Sequence, residues 1–154
     1  MFKAILFHLF LITLVYANES TPHIPLSYEH SIKLLHNIQK DAIYYGCGER
    51  LVYVFIDPLC PYSRKFISMI YTNQTMTQKY RYALFLYSIP RLHSQQVVSA
   101  IYGAQNPLES LFDVMLKNQT LKNSSTQANK IVTEIATVAQ TMQIKKRPYI
   151  IIEK

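Results

Sequence analysis

The chain has 154 residues, 49% of them hydrophobic, and a formal net charge of +7. That length suits one domain, and three glycines with no internal repeat argue against an all-β or solenoid design. The basic residues are scattered apart from the cluster Lys145-Lys146-Arg147, so the charge reads as a solvated basic face and no nucleic-acid partner is expected.

Residues 1–17 have the layout of a secretory signal peptide. Lys3 supplies a short positive region, residues 4–16 are mostly apolar, and Val15-Tyr16-Ala17 offers a cleavage site before Asn18. Cleavage removes Lys3 and lowers the charge by one. The alternative is an uncleaved anchor, for which the apolar run is short against the roughly 20 residues of a membrane span; a membrane is a partner only in that case. The expected location is an exported one. Residues 18–25, with Pro22 and Pro25, read as an extended leader.

Apolar spacing predicts a helix over 26–45, with Ile32, Leu35, Ile38 and Ile43 on one side, stopped by Gly46-Cys47-Gly48. Residues 51–57 form an almost unbroken apolar run, the pattern of a central strand buried on both faces. Residues 61–76 read as a helix with Phe66, Ile67, Met69 and Ile70 inward, and 80–89 as a second buried strand closed by Pro90. Helices are expected at 95–105 and 107–118. A further helix, capped by Ser125 or Thr126, is expected to run to about 142, and a strand at 148–152 closes the chain. The order implies an α/β plan with a parallel pair at its centre. The expected division is a signal at 1–17, a leader and N-terminal helix at 18–50, and a domain over 51–154 with a helical insertion at about 92–143.

The chemistry concentrates where the first long strand meets its helix, at Asp57-Pro58-Leu59-Cys60-Pro61-Tyr62-Ser63. A cysteine there lies near the free N–H groups of the helix, whose positive end favours a thiolate, the reactive form. Pro61 suits the first helical position, where no N–H partner is needed. The turn is of thioredoxin type except that Ser63 stands where a second cysteine is usual. Arg64 and Lys65 add positive potential near Cys60.

The second cysteine, Cys47, lies before the strand, and Cys60 lies after it. A strand of that length spans roughly 20 Å, against the about 7 Å that a disulfide allows between Cα atoms. A Cys47–Cys60 bridge therefore needs a loop folding back. Otherwise Cys47 is a partner-facing thiol, a distant resolving cysteine or an incidental residue. The histidines show no metal-ligand spacing, so neither metal nor cofactor is expected. The twelve tyrosines read as core and rim packing.

From about residue 52 to 152 the chain resembles the catalytic, thioredoxin-fold domain of the bacterial periplasmic disulfide isomerases, the C and G types of the Dsb system. The resemblance rests on Phe55-Ile56-Asp57-Pro58-Leu59-Cys60-Pro61-Tyr62 and Tyr87-Ser88-Ile89-Pro90-Arg91. It extends to Ala100-Ile101-Tyr102, Phe112-Asp113-Val114-Met115 and Arg147-Pro148-Tyr149-Ile150. It implies a thioredoxin-like fold with an inserted helical segment and thiol–disulfide exchange through Cys60, with Pro61 and Tyr62 in the active-site turn. It also implies a cis Arg147–Pro148 bond beside Cys60, where the loop meets substrate, with Arg147 projecting over the thiolate.

Three features depart from the family. Ser63 replaces the resolving cysteine, its hydroxyl expected to hold the Cys60 thiolate. Arg147 replaces a smaller residue, and the family's closing strand and helix do not follow the proline strand, which leaves that strand as a sheet edge. The expected partners are disulfide-containing exported proteins and an external thiol or redox partner. The competing reading is a catalytically impaired binding module for extended peptides or partner proteins.

Overall fold

The computed structural model describes residues 26–121 and 125–154; the expected signal and leader lie outside the described residues. The chain runs through α1 (Tyr28–Ile38), a short 3-10 turn, β1 (Ile43–Tyr45), β2 (Arg50–Ile56), α2 (Pro61–Thr72), α3 (Gln74–Lys79) and β3 (Tyr80–Leu86). After a second 3-10 turn (Pro90–Leu92) come α4 (Gln95–Tyr102), α5 (Pro107–Lys117), α6 (Thr126–Thr141) and β4 (Tyr149–Ile152).

The four strands form one sheet in the order β1-β3-β2-β4. The central β2 and β3 are parallel, while β1 pairs antiparallel with β3 and β4 antiparallel with β2. The expected parallel pair is therefore present, and the proline strand is a sheet edge.

Side chains alternate across β2 and β3, and each face has its own core. Val52, Val54, Ile56, Tyr82, Leu84 and Leu86 join Phe66, Ile67 and Ile70 of α2 and the inner residues of α4 and α5. On the other face Leu51, Tyr53, Phe55, Ala83 and Phe85 meet Leu35 and Ile38 of α1 and Ile135, Val138 and Ala139 of α6. Burial on both faces is why these strands tolerate almost no polar residue. The helix α1 also fastens the β4 edge. Tyr28 Oη donates to the Ile152 carbonyl at 3.2 Å and accepts from the Lys154 N–H at 2.9 Å, and His36 Nε2 lies 3.0 Å from Glu153 Oε1.

Three boundaries differ from expectation. The helix expected over 26–45 stops at Ile38, and residues 43–45 are a strand instead. Ile43-Tyr44-Tyr45 carries the β-branched and aromatic side chains that suit a pleated surface, and pairing with β3 outweighs the helical spacing of Ile43. The helix expected over 61–76 breaks at Asn73, whose side chain accepts from the Met76 N–H at 3.1 Å and so caps α3. An asparagine competes with the helix for backbone partners and is stable as a cap. The strand expected to reach residue 89 ends at Leu86, where the backbone N–H of Leu86 is taken by Tyr102 Oη at 3.0 Å.

The Gly46-Cys47-Gly48 loop lies against the α3–β3 junction. Cys47 N–H donates to the Thr77 carbonyl at 2.9 Å, and Gly48 N–H to the Tyr80 carbonyl at 3.3 Å. Gly46 has φ +88°, and a Cβ on Gly48 would run into the backbone of Lys79 and Tyr80. Because backbone rather than a flexible side chain must yield, Gly48→Ala is expected to cost about 1–3 kcal/mol of stability. Urea denaturation measures it; an unchanged midpoint would show that the loop relaxes freely.

Candidate active site

The site begins where β2 runs out of apolar residues. Asp57 is completely buried, and an ionised carboxylate is tolerated there only if its lone pairs are filled. They are filled by three donors. The Leu59 N–H reaches Oδ1 at 2.8 Å, and the Ile89 N–H and the Ser94 hydroxyl reach Oδ2. Two of these donors lie beyond β3. The carboxylate thus ties the turn after β2 to the loop after β3. Around it, Cys60 N–H donates to the Asp57 carbonyl at 3.0 Å, and Arg64 Nε to the Pro58 carbonyl at 2.8 Å. Arg64 Nη1 donates to Asn118 Oδ1. Asn118 ends α5 with φ +56°, so the turn is latched to that helix as well.

Cys60 is the N-cap of α2, and Pro61 occupies the first helical position. Arg64 N–H donates to the Cys60 carbonyl at 3.0 Å, so the helix starts at the cysteine. Cys60 is 4% exposed. Its thiol faces the carbonyl of Arg147 at 3.9 Å, and the Arg147–Pro148 bond is cis. The loop before β4 therefore lies against the sulfur, as expected. Tyr62, 73% exposed, stands at the rim.

The sulfur borders a cleft of about 630 Å³ lined by Tyr62, Ile89 and Pro90 and by the cationic residues Arg91, Lys145, Lys146 and Arg147. This is a size suited to a small ligand or a short peptide stretch.

Two expected side-chain roles are corrected. Ser63 is fully buried and its Oγ accepts the Asp57 N–H at 3.2 Å; it makes no hydrogen bond to Cys60 among the described residues. The hydroxyl supports the turn from within because the N-terminal turn of α2 points this position back toward β2. Arg147 does not cover the sulfur with its guanidinium. That group lies 3.9 Å from the centre of the Tyr87 ring, and Nη2 donates to the Ser88 carbonyl at 3.1 Å. Burial pulls its pKa below the ordinary value, with the nearby Tyr87 and Asp57 opposing the shift. Arg147 thus cements the β4 loop to the end of β3, and only its main chain meets the thiol.

Cys47 is exposed and Cys60 buried, and both are free. They flank opposite ends of β2, which removes the structural bridge. Asp57, the residue that organises the turn, was not singled out by sequence reasoning. Its signal is an acid placed directly after six buried strand residues.

No family model matches the sequence, and no curated protein matches it. Solved structures do match the fold. The catalytic domain of Proteus mirabilis ScsC is similar with a TM-score of 0.63 at 13% identity, covering 82% of this chain and 86% of that one. A disulfide interchange protein from Neisseria gonorrhoeae matches at 0.59 with 18% identity, covering 73% and 80%. The thiol-disulfide exchange protein alpha-DsbA2 from Wolbachia pipientis matches at 0.60 with 9% identity, covering 81% and 86%. The fold is thioredoxin-like.

Removing one acceptor from Asp57 tests its role. Asp57→Asn keeps the shape but turns an NH2 group toward one set of donors. It is expected to cost on the order of 2 kcal/mol and to slow modification of Cys60. Chemical denaturation combined with thiol-labelling kinetics checks both; wild-type values in both would show that the carboxylate does not organise the turn.

Proposed function

We propose that the protein carries out thiol–disulfide exchange in an exported compartment, with Cys60 as its only reacting thiol at the site. The observation that carries this reading is Cys60 at the N-terminus of α2 with its sulfur against the cis-proline loop. The Cys60 thiolate attacks one sulfur of a substrate disulfide. A bond forms between the two sulfurs, the substrate disulfide breaks, and its second sulfur leaves as a thiolate. The thiolate is the attacking form of the cysteine.

Ser63 cannot displace the bound substrate, and Cys47 lies at the far end of β2. A second thiol from outside the site must therefore attack the mixed disulfide. If it belongs to the substrate, the pairing of the substrate's cysteines changes and the activity is an isomerase's. If it is a free thiol or a redox partner, it bonds to the Cys60 sulfur and the substrate leaves reduced; a second external thiol then frees Cys60 as the external disulfide forms. The signal-like residues 1–17 support an exported, periplasmic setting, where disulfides persist, and exported proteins with disulfides are the proposed substrates.

The second reading is a non-catalytic module that binds extended peptides in the same cleft. The burial of Cys60, at 4% exposed, favours it, because attack requires the sulfur to be reached through the cleft alone.

The two readings separate on Ser63→Cys. Wild type incubated with glutathione disulfide is expected to retain a glutathione adduct on Cys60, visible as a mass increase of the Cys60-containing peptide after digestion, which separates it from an adduct on the exposed Cys47. Ser63→Cys is expected to lose that adduct to an internal disulfide between Cys60 and the introduced thiol, and to reduce disulfide substrates at least about tenfold faster. A Cys60 that acquires no adduct in the folded protein would establish the binding module. Equal adduct retention and turnover in the two proteins would assign the resolving step to another thiol.

A further inference from the structure

The charge around the cleft is one-sided, in sequence as well as in space. No aspartate or glutamate occurs from residue 58 to 108, the segment that supplies α2, β3 and the Arg91 loop. None occurs from 135 to 152, which supplies most of α6, the Lys145-Lys146-Arg147 loop and β4. The acid nearest the sulfur along the chain is Asp57, buried and with its oxygens filled by Leu59, Ile89 and Ser94. Arg91 belongs to the 3-10 turn after β3, while Lys145 and Lys146 belong to the loop that leads into β4. All three are exposed, and none forms an ion pair among the described residues. Cations thus come from two separate elements of the cleft into which Cys60 opens, and no carboxylate neutralises them among the described residues.

Clefts lined with one sign of charge concentrate ligands of the other sign and accelerate their capture. A single small anion needs one such group; cations brought by two elements match a chain that crosses the cleft with carboxylates spaced along it. Tyr62, Ile89 and Pro90 supply apolar surface for its remaining side chains.

We infer that the preferred substrate of the Cys60 site is an extended peptide segment whose disulfide-bonded cysteine is flanked by acidic residues, held by Arg91, Lys145 and Lys146. This rests on the thiol-exchange reading above and gives it a substrate class.

The test uses the full chain carrying Cys47→Ser, so that Cys60 alone reports. Two synthetic peptides are identical except for glutamates or lysines flanking one cysteine, which is activated as a 2-pyridyl disulfide. Cys60 thiolate attacks the peptide sulfur, the new protein–peptide disulfide forms, and the disulfide bond to the pyridyl sulfur breaks. Neutral pyridine-2-thione is released after protonation and followed by absorbance. A small uncharged pyridyl disulfide and the glutathione pyridyl disulfide are run alongside.

The glutamate peptide is expected to react about tenfold or more faster than the lysine peptide at about 20 mM salt. The gap should collapse near 0.5 M salt, where charges are screened beyond a few ångströms. Combining Arg91→Glu, Lys145→Glu and Lys146→Glu should reverse the order, and the corresponding glutamine substitutions should abolish it. Equal peptide rates with a reactive uncharged probe would overturn the charge preference and leave thiol exchange standing. If the glutathione pyridyl disulfide outpaces the glutamate peptide with the same salt dependence, the cleft serves a small anionic thiol and the peptide assignment is overturned. A Cys60 inert to every probe would overturn both this inference and the exchange reading.

Discussion

The buried carboxylate of Asp57 is the constraint on which the rest of the site depends. A charge at zero exposure persists only with its lone pairs filled, and its partners come from two places far apart in sequence. One is the Leu59 N–H in its own turn; the others are the Ile89 N–H and the Ser94 hydroxyl in the loop after β3. Satisfying one group therefore fixes two loops relative to each other. Those loops carry Cys60 and Tyr62 on one side and Ile89, Pro90 and Arg91 on the other, which together make a large part of the cleft. The third wall is fixed separately. Arg147 stacks on Tyr87 and bonds the Ser88 carbonyl, so the cis-proline loop is held by the same end of β3. Three loops from different parts of the chain thus meet at one sulfur through two polar anchors rather than through a continuous apolar core.

Ser63 has a place in the same scheme. Its hydroxyl accepts the Asp57 N–H, which brings that backbone group into the network around the carboxylate. A thiol is a weaker acceptor than a hydroxyl. A cysteine at this position would supply a resolving thiol while weakening support for the turn that presents Cys60. The serine hydroxyl therefore supports the turn locally, and its complete burial fits that use.

Much of the fold is legible in the sequence because it follows from burial. The continuous apolar runs of β2 and β3 can be satisfied only by a sheet covered on both faces, and the alternation seen in the two cores is the direct consequence. Cys60 and Pro61 announce a helix start by chemistry alone, and Ser125 is the cap, its side chain accepting from the Ala128 N–H. What escapes sequence reasoning depends on pairing or on direction. Residues 43–45 carry a helical spacing and a strand composition together, and only the β3 partner decides between them. Asn73 lies within a stretch that reads as one helix, and only its bond to the Met76 N–H shows that it caps a new one. Ser63 and Arg147 are in the expected positions with unexpected orientations, because spacing places a backbone and says little about where a side chain finds its partner.

Asp57 shows why the absence of acids elsewhere matters. The chain commits one carboxylate to this site, entirely to internal donors, and places none in the segments that surround the cleft. The cations there consequently form no ion pair among the described residues. Arg147 is turned into the structure and its charge is consumed in holding a loop, whereas Arg91, Lys145 and Lys146 stay in solvent, where exposed charges contribute little to stability. Among the described residues their side chains neither cap a helix nor complete a core. A cluster that does so little for the fold, gathered around the thiol at the start of α2, is better explained by what approaches that thiol than by what holds the molecule together.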